Sequence, residues 1–176
     1  MMKVVVWIVE GTWRACVDAA RDTTPADTDT TLLYVLEDEV SSVAHGAFAG
    51  LFGRGHPDQD PGVQVDASAA AAAQGLLGKA SQRMGRLTTS QVSRGRVEQE
   101  VIRSAEEADL LVVSRDGDRT HLGPRSLSRA SRFVVDHAPC AVLLVWPESA
   151  PSTNTAPYPP PAPRSHPKHA PPPPGR

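Results

Sequence analysis

Short apolar runs alternate with amphipathic segments along most of the chain. Five segments have the length and composition of β-strands, and they span residues 4–9, 31–37, 86–95, 109–114 and 140–146. Four of these runs are almost wholly apolar, as expected for strands that are buried on both faces of a sheet. The third run alternates only weakly and is mostly polar, which is typical of an edge strand.

The intervening segments repeat their apolar residues at steps of three and four, a spacing that predicts helices. The first such segment places on one face Trp13, Cys16, Val17 and Ala20. In the second, alanine-rich segment we interpret Asp66 as the N-cap. Gly75 and Gly78 weaken that helix, and we interpret them as sites of close packing against the sheet. The predicted helices cover residues 13–21, 66–84, 96–108 and 126–138.

Strands that alternate with helices predict a parallel sheet with right-handed crossovers. We therefore predict an α/β fold: a doubly wound five-stranded parallel sheet, in the order 3-2-1-4-5, with helices on both faces. In such a sheet, ligands bind beyond the carboxyl ends of the strands at the point where the strand order reverses. In this chain that point lies between the first and the fourth strand.

Two segments do not fit this alternation. Twelve of the 17 prolines lie at or after Pro147, so we predict a domain over residues 1–147 and a disordered proline-rich tail over 148–176. We expect the tail to be dispensable for folding, and its PxxP spacings could suit a protein partner that reads proline-rich peptides. The irregular, glycine-rich segment 38–62 is either a lid or an insertion without a role at the site.

Composition narrows the class of protein. The formal net charge of -2 gives no signature of nucleic-acid binding. No apolar run reaches the roughly 20 residues of a membrane span, and the start of the chain lacks the features of a secretory signal. The two cysteines, Cys16 and Cys140, lie among apolar neighbours, which favours reduced, buried thiols in a cytoplasmic protein.

The common catalytic motifs are absent from the sequence. The segment "GLLGKAS" is similar to a phosphate-binding loop, but Ala73 stands at the first glycine position and the segment lies within a helical pattern. No G-x-G-x-x-G follows the first strand, and no G-x-S-x-G is present. The histidines are scattered without metal-ligand spacing. We therefore expect neither a metal site nor an enzyme.

The loop after the fourth strand carries the strongest candidate chemistry. Four arginines lie before or at the start of a predicted serine-rich helix: Arg115, Arg119, Arg125 and Arg129. The N-terminus of a helix favours anions, and arginine side chains suit the geometry of phosphate groups. Asp116 and Asp118 oppose an anion unless a magnesium ion lies between them and the phosphates. The alternative, equally weighted, is that Ser126 or Ser128 only caps the helix while the arginines are solvated.

Several segments resemble the universal stress protein family. The opening "VVVWIVEGTW" is similar to that family's first strand, and "GRVEQEVIRSAEEADLLVVSRDG" to its third helix and fourth strand. The ending "ASRFVVDHAPCAVLLV" is the most specific match. The resemblance covers roughly residues 3–146 and implies the five-stranded fold, frequent homodimers and, in one branch, ATP bound through G-x-x-G, nine residues, and G-S or G-T.

This chain departs from that nucleotide pattern. In a register without gaps, the paired glycines fall on Arg115 and Asp118, and the later Gly-Ser falls on Ser128-Arg129. Because side chains replace both glycines, we expect at most weak, magnesium-dependent binding of ATP, which replacing Asp118 with glycine would strengthen. The candidate nucleotide-binding residues are Glu10, Arg115, Asp116, Gly117, Asp118, Gly123, Ser128, Arg129 and Ser131.

The last strand is apolar on both faces although the predicted order puts it at the sheet edge. Pairing with a second copy would protect that edge, so the expected homodimer strand comprises Val142, Leu143, Leu144 and Val145. The resemblance to universal stress proteins implies a stress-response regulatory protein that acts by binding. Three alternatives remain: an ATP-binding member with a rearranged loop, a small nucleotide-dependent enzyme, and an interaction module that works through its tail.

Overall fold

The computed structural model describes residues 1–37 and 61–156, and for 61–65 the backbone alone. The predictions for 38–60 and for the tail from residue 157 onward concern segments outside the described residues. The strands are β1 (Lys3–Trp7), β2 (Asp29–Leu36), β3 (Thr89–Arg94), β4 (Leu110–Ser114) and β5 (Ala141–Val145). The helices are α1 (Trp13–Thr23), α2 (Pro61–Met84), α3 (Val97–Ala105) and α4 (Arg129–His137), with short 3-10 helices at Pro124–Ser126 and Thr153–Thr155.

The five strands form one parallel sheet in the order β3-β2-β1-β4-β5, which confirms the predicted topology. β1 lies at the centre, where Val5 pairs with Thr31 of β2 on one side and with Leu111 of β4 on the other. β2 and β4 lie on opposite sides of β1, so the strand order reverses at β1. The carboxyl ends of β2 and β4 therefore form the two sides of a crevice beyond the end of β1.

The core has two halves, one on each face of the sheet. On one face Val4, Val6 and Ile8 pack with apolar residues of α1 and α2. On the other face Val5 and Trp7 pack with residues of α3 and α4. The alternation of side chains along β1 therefore supplies both halves, because successive residues of a strand point to opposite faces. The predicted buried face of α1 is confirmed.

The start of α2 differs from the prediction. The helix begins at Pro61, so Asp66 lies inside it and is not its N-cap. A proline fits the first turn of a helix because its missing N–H has no intrahelical partner there. The carboxylate of Asp66 instead lies 3.7 Å from the guanidinium of Arg94, which ends β3.

Both cysteines are free. Cys16 is fully buried, and burial raises the pKa of its thiol to about 12. Cys140 is only half-buried, less than the sequence predicted, and burial also raises its pKa. Both thiols are therefore protonated at neutral pH. Among the helices of the described ranges, none is long and apolar enough to cross a membrane.

The described chain continues past the predicted domain boundary at residue 147. The carboxylate of Glu148 lies 3.5 Å from the guanidinium of Arg119. The backbone N–H of Leu122 donates to the hydroxyl of Thr155 at 3.1 Å. Glu148 and Thr155 thus contact the loop that follows β4.

Shortening the chain tests these contacts. We expect a chain that ends at residue 147 to be less stable than one that ends at 156 by about 1 kcal/mol, because a half-buried hydrogen bond and an exposed ion pair are lost. The melting temperature should fall by about 2–4 °C. Thermal denaturation followed by circular dichroism measures the difference. Equal melting temperatures would show that 148–156 is dispensable, as the sequence had suggested.

Candidate functional site: a crevice at the carboxyl ends of β1, β2 and β4

A cavity of about 440 Å³ opens beyond the carboxyl ends of β1 and β2 and reaches the loop after β4. We call it the crevice. Its apolar wall comes from the ends of the two strands and from the helices above them, and comprises Trp7, Ile8, Val9, Tyr34, Val35, Leu36, Ala69, Val97 and Ala130. The position is the switch point that the topology predicts for ligands, and the volume is within the range of small-molecule sites.

Asp116 closes the crevice on the side of α4. One oxygen of its carboxylate accepts a hydrogen bond from the backbone N–H of Ser128, and the other accepts from the hydroxyl of Ser131, both at 2.9 Å. Ser128 is the N-cap of α4, and its hydroxyl accepts from the N–H of Ser131 at 3.1 Å. Asp116 therefore holds the start of the helix, where backbone donors and the helix dipole favour a negative charge.

The charged residues around the crevice are mostly acidic. Among the described residues that line it, four are carboxylates and one is a cation, Arg94; the acidic residues are Glu10, Glu37, Asp66 and Asp116. Arg94 is already near Asp66. The crevice consequently has an excess of three negative charges among its lining side chains, so its electrostatic potential opposes anions.

The first two loop arginines turn away from the crevice. The guanidinium of Arg115 stacks over the ring of Trp146, 4.7 Å from the ring centre, and donates a hydrogen bond to the hydroxyl of Ser126. Arg119 pairs with Glu148. Both side chains thus fasten the segment after β5 to the loop instead of facing a ligand.

The other two loop arginines also lie outside the crevice. Arg129 lines a separate groove between α3 and α4, together with Glu98. The pKa of Glu98 is lowered, first by a hydrogen bond from its own backbone N–H and then by Arg96, with a smaller contribution from the charge of Arg129. Arg125 is exposed, and its charge helps to lower the pKa of Asp118. The structure does not bring the four arginines together.

The two aspartates of the loop have different partners. Asp118 accepts hydrogen bonds from the hydroxyl of Thr120 at 2.5 Å and from its backbone N–H at 3.0 Å. These bonds, the hydroxyl first, lower the pKa of Asp118. The carboxylate oxygens of Asp116 are bonded to α4. The pair is therefore not arranged to hold a magnesium ion, and the residues present do not fit a magnesium-bridged triphosphate.

Gly117, not the neighbouring Asp118, is the position where the loop requires glycine. Its N–H donates to the carbonyl of Ser126 at 3.0 Å, and this pairing leaves no room for a side chain. An added Cβ would collide with the carbonyl oxygen of Arg125 and lie 2.9 Å from the carbonyl carbon of Leu127. The loop therefore requires glycine at position 117, one residue before the position that the ungapped register assigns to the second glycine of the family pattern.

Two candidate nucleotide-binding residues remain, Glu10 and Gly123. Glu10 is exposed at the rim of the crevice, and Gly123 has a φ of 121°, which favours glycine. The sequence analysis considered Ser126 only as a possible helix cap; the residue is buried, and its hydroxyl donates to the carbonyl of Gly123 at 2.7 Å. Sequence reasoning missed the bond from the hydroxyl of Ser114 to that of Thr12 at 2.6 Å. No local pattern signals this second contact, because its partners are distant in sequence and meet only in the folded chain.

Solved structures with the same fold include several universal stress proteins. UspA from Lactobacillus plantarum is 21% identical, with a TM-score of 0.55 over 82% of this chain and 97% of that one. A universal stress protein in complex with cAMP is 17% identical, with a TM-score of 0.56 over 84% and 98%. A family protein from Arabidopsis thaliana with AMP bound is 16% identical, with a TM-score of 0.52 over 88% and 94%.

Comparison of the sequence with protein families identifies the family of this chain. A search of curated proteins finds no match. The model of the universal stress protein family matches residues 1–145, which includes every strand and helix of the sheet domain. The chain therefore belongs to the universal stress protein family.

Proposed function

We propose that this chain is a cytoplasmic stress-response protein that acts by binding an adenine nucleoside or nucleotide, without turning it over. The observation that carries the proposal is the crevice, a cavity of about 440 Å³ with an apolar wall at the switch point of the sheet. A flat heterocycle can pack against the partly exposed Val9, Tyr34 and Val35 in this wall, because burial of apolar ring surface is favourable.

Two of the structural neighbours support the choice of ligand. One is described in complex with cAMP and the other with AMP bound. Both ligands contain adenine and ribose, which is the part that an apolar crevice of this size can enclose. The crevice does not favour the phosphate group in the same way. At the start of α4, where a phosphate would bind, the carboxylate of Asp116 already accepts the hydrogen bonds of Ser128 and Ser131.

The side chains that line the crevice support the proposal of binding without turnover. Covalent catalysis by a side chain needs a nucleophile with a base within hydrogen-bond reach. Ser128 is the serine among the lining residues, and its hydroxyl is held as the cap of α4. Among the described residues that line the crevice none is a histidine, lysine or cysteine.

The proposal includes a homodimer formed through β5. This strand is at the sheet edge and pairs, among the described strands, with β4 alone. Its side chains are half-buried against both halves of the core, Leu143 and Val145 on one face and Val142 and Leu144 on the other. The backbone edge is therefore what a second copy would cover.

Isothermal titration calorimetry with adenosine, AMP, cAMP and ATP tests the proposal. We expect at least one adenine compound to bind with a dissociation constant below about 1 mM. Ala69→Phe, which fills the crevice from α2, should abolish binding. Ala72→Phe, on the exposed face of the same helix, should leave it unchanged. The proposal fails if no adenine compound binds, or if both variants behave alike.

A further inference from the structure

The start of α4 already holds an anion that the chain itself supplies. A phosphate at a helix N-terminus accepts hydrogen bonds from backbone N–H groups and nearby hydroxyls. In this chain the carboxylate of Asp116 accepts those bonds, from the N–H of Ser128 and the hydroxyl of Ser131, both at 2.9 Å. Asp116 also lines the crevice, so a phosphate that approached these donors would meet a fixed negative charge.

Among the described residues, the arginines of the loop lie outside the lining of the crevice, including Arg129 in the separate groove between α3 and α4. Arg115 and Arg119 are fastened to the segment after β5, at Trp146 and Glu148. Arg94 is the cation that lines the crevice, and it faces three further carboxylates there besides Asp116. Like charges in a partly desolvated cavity repel strongly because water screens them less than at an open surface.

We propose that the crevice selects an uncharged adenine nucleoside and discriminates against its phosphate esters, with Asp116 as the residue that sets this specificity. The proposal rests on the proposed function, whose ligand class it narrows. Ribose hydroxyls are donors, and carboxylates such as Asp116 and Glu10 are acceptors. The same acidic rim that repels a phosphate therefore suits a nucleoside whose base packs on the apolar wall.

The apolar wall distinguishes this ligand from a simple cation. An excess of negative charge alone would also attract an aliphatic polyamine. However, the partly exposed side chains of Val9, Tyr34 and Val35 at the strand ends give the crevice an apolar surface, which an extended polyamine would leave largely unused. A nucleoside uses both features of the crevice.

Calorimetry on the full chain compares adenosine, AMP and spermidine at neutral pH, where AMP carries between one and two negative charges. We expect adenosine to bind about tenfold or more tightly than AMP. Asp116→Asn, which keeps the size of the side chain and removes its charge, should reduce that ratio about tenfold, chiefly by improving AMP. Asp118→Asn removes the same charge two residues away, where the side chain bonds to Thr120, and should leave the ratio unchanged.

Three outcomes would overturn the inference while the proposed function stands. They are AMP binding as tightly as adenosine to the wild-type chain, spermidine binding more tightly than adenosine, and equal shifts in the two variants. The wild-type ratio is measurable even if Asp116→Asn does not fold. If neither adenosine nor any adenine nucleotide binds the wild type, the proposed function itself fails, and this inference fails with it.

Discussion

Gly117→Ala is expected to lower the free energy of unfolding by about 1–3 kcal/mol, the usual cost of overpacking a site that cannot relax easily. The added methyl group would collide with the carbonyl oxygen of Arg125 and lie 2.9 Å from the Leu127 carbonyl carbon and 3.0 Å from the Leu127 nitrogen. All three are backbone atoms of a segment that Gly117 and Asp118 bond directly. Each kcal/mol corresponds to about 2–4 °C in melting temperature.

The same substitution should also weaken ligand binding, because a displaced Leu127 moves the adjacent Ser128 and loosens its bond to Asp116. Urea denaturation measures the stability, and calorimetry with adenosine measures the binding. Asp118→Ala is the matched control: it alters the next residue, whose side chain is exposed and contacts the nearby Thr120 and His121. An unchanged urea midpoint for Gly117→Ala would refute the close approach of the two backbone segments.

The double substitution Gly75→Ala and Gly78→Ala should stabilise the fold by about 2 kcal/mol, since each glycine inside a helix costs about 1 kcal/mol relative to alanine. The interpretation of these glycines as packing sites is wrong. Both are exposed on α2, and a Cβ at either position would meet no described atom within 4 Å. We expect the melting temperature to rise by roughly 4–8 °C.

Gly85→Ala is also a glycine-to-alanine substitution, but we expect it to destabilise the fold. Gly85 follows the end of α2 with a φ of 68°, again with no described atom near its Cβ. Alanine disfavours this left-handed conformation by about 1–2 kcal/mol. A stabilising effect at Gly85, or a neutral one at Gly75 and Gly78, would contradict the assignment of these glycines to a helix end and an exposed helix face.

The sequence by itself determined the fold. Runs such as Val4 to Ile8 and Leu110 to Val113 are short, rich in β-branched residues and apolar at every position, as expected for strands covered on both faces. Their alternation with helical segments then requires parallel strands, and the polar third run belongs at an edge. These conclusions depend on periodicity, which is local and therefore visible in one dimension.

The tertiary structure alone decided the chemistry of the site. Asp116 and Arg115 are neighbours in the loop, yet one carboxylate reaches Ser131 in α4 while the guanidinium stacks on Trp146 after β5. The direction of each side chain depends on the path of the loop backbone, which the contact at Gly117 constrains. Composition showed four arginines beside a helix start and suggested an anion site. The partner of Arg115, Trp146, lies 31 residues further along the chain. Only the folded chain therefore reveals that these arginines lie outside the crevice and that its described lining is mostly acidic.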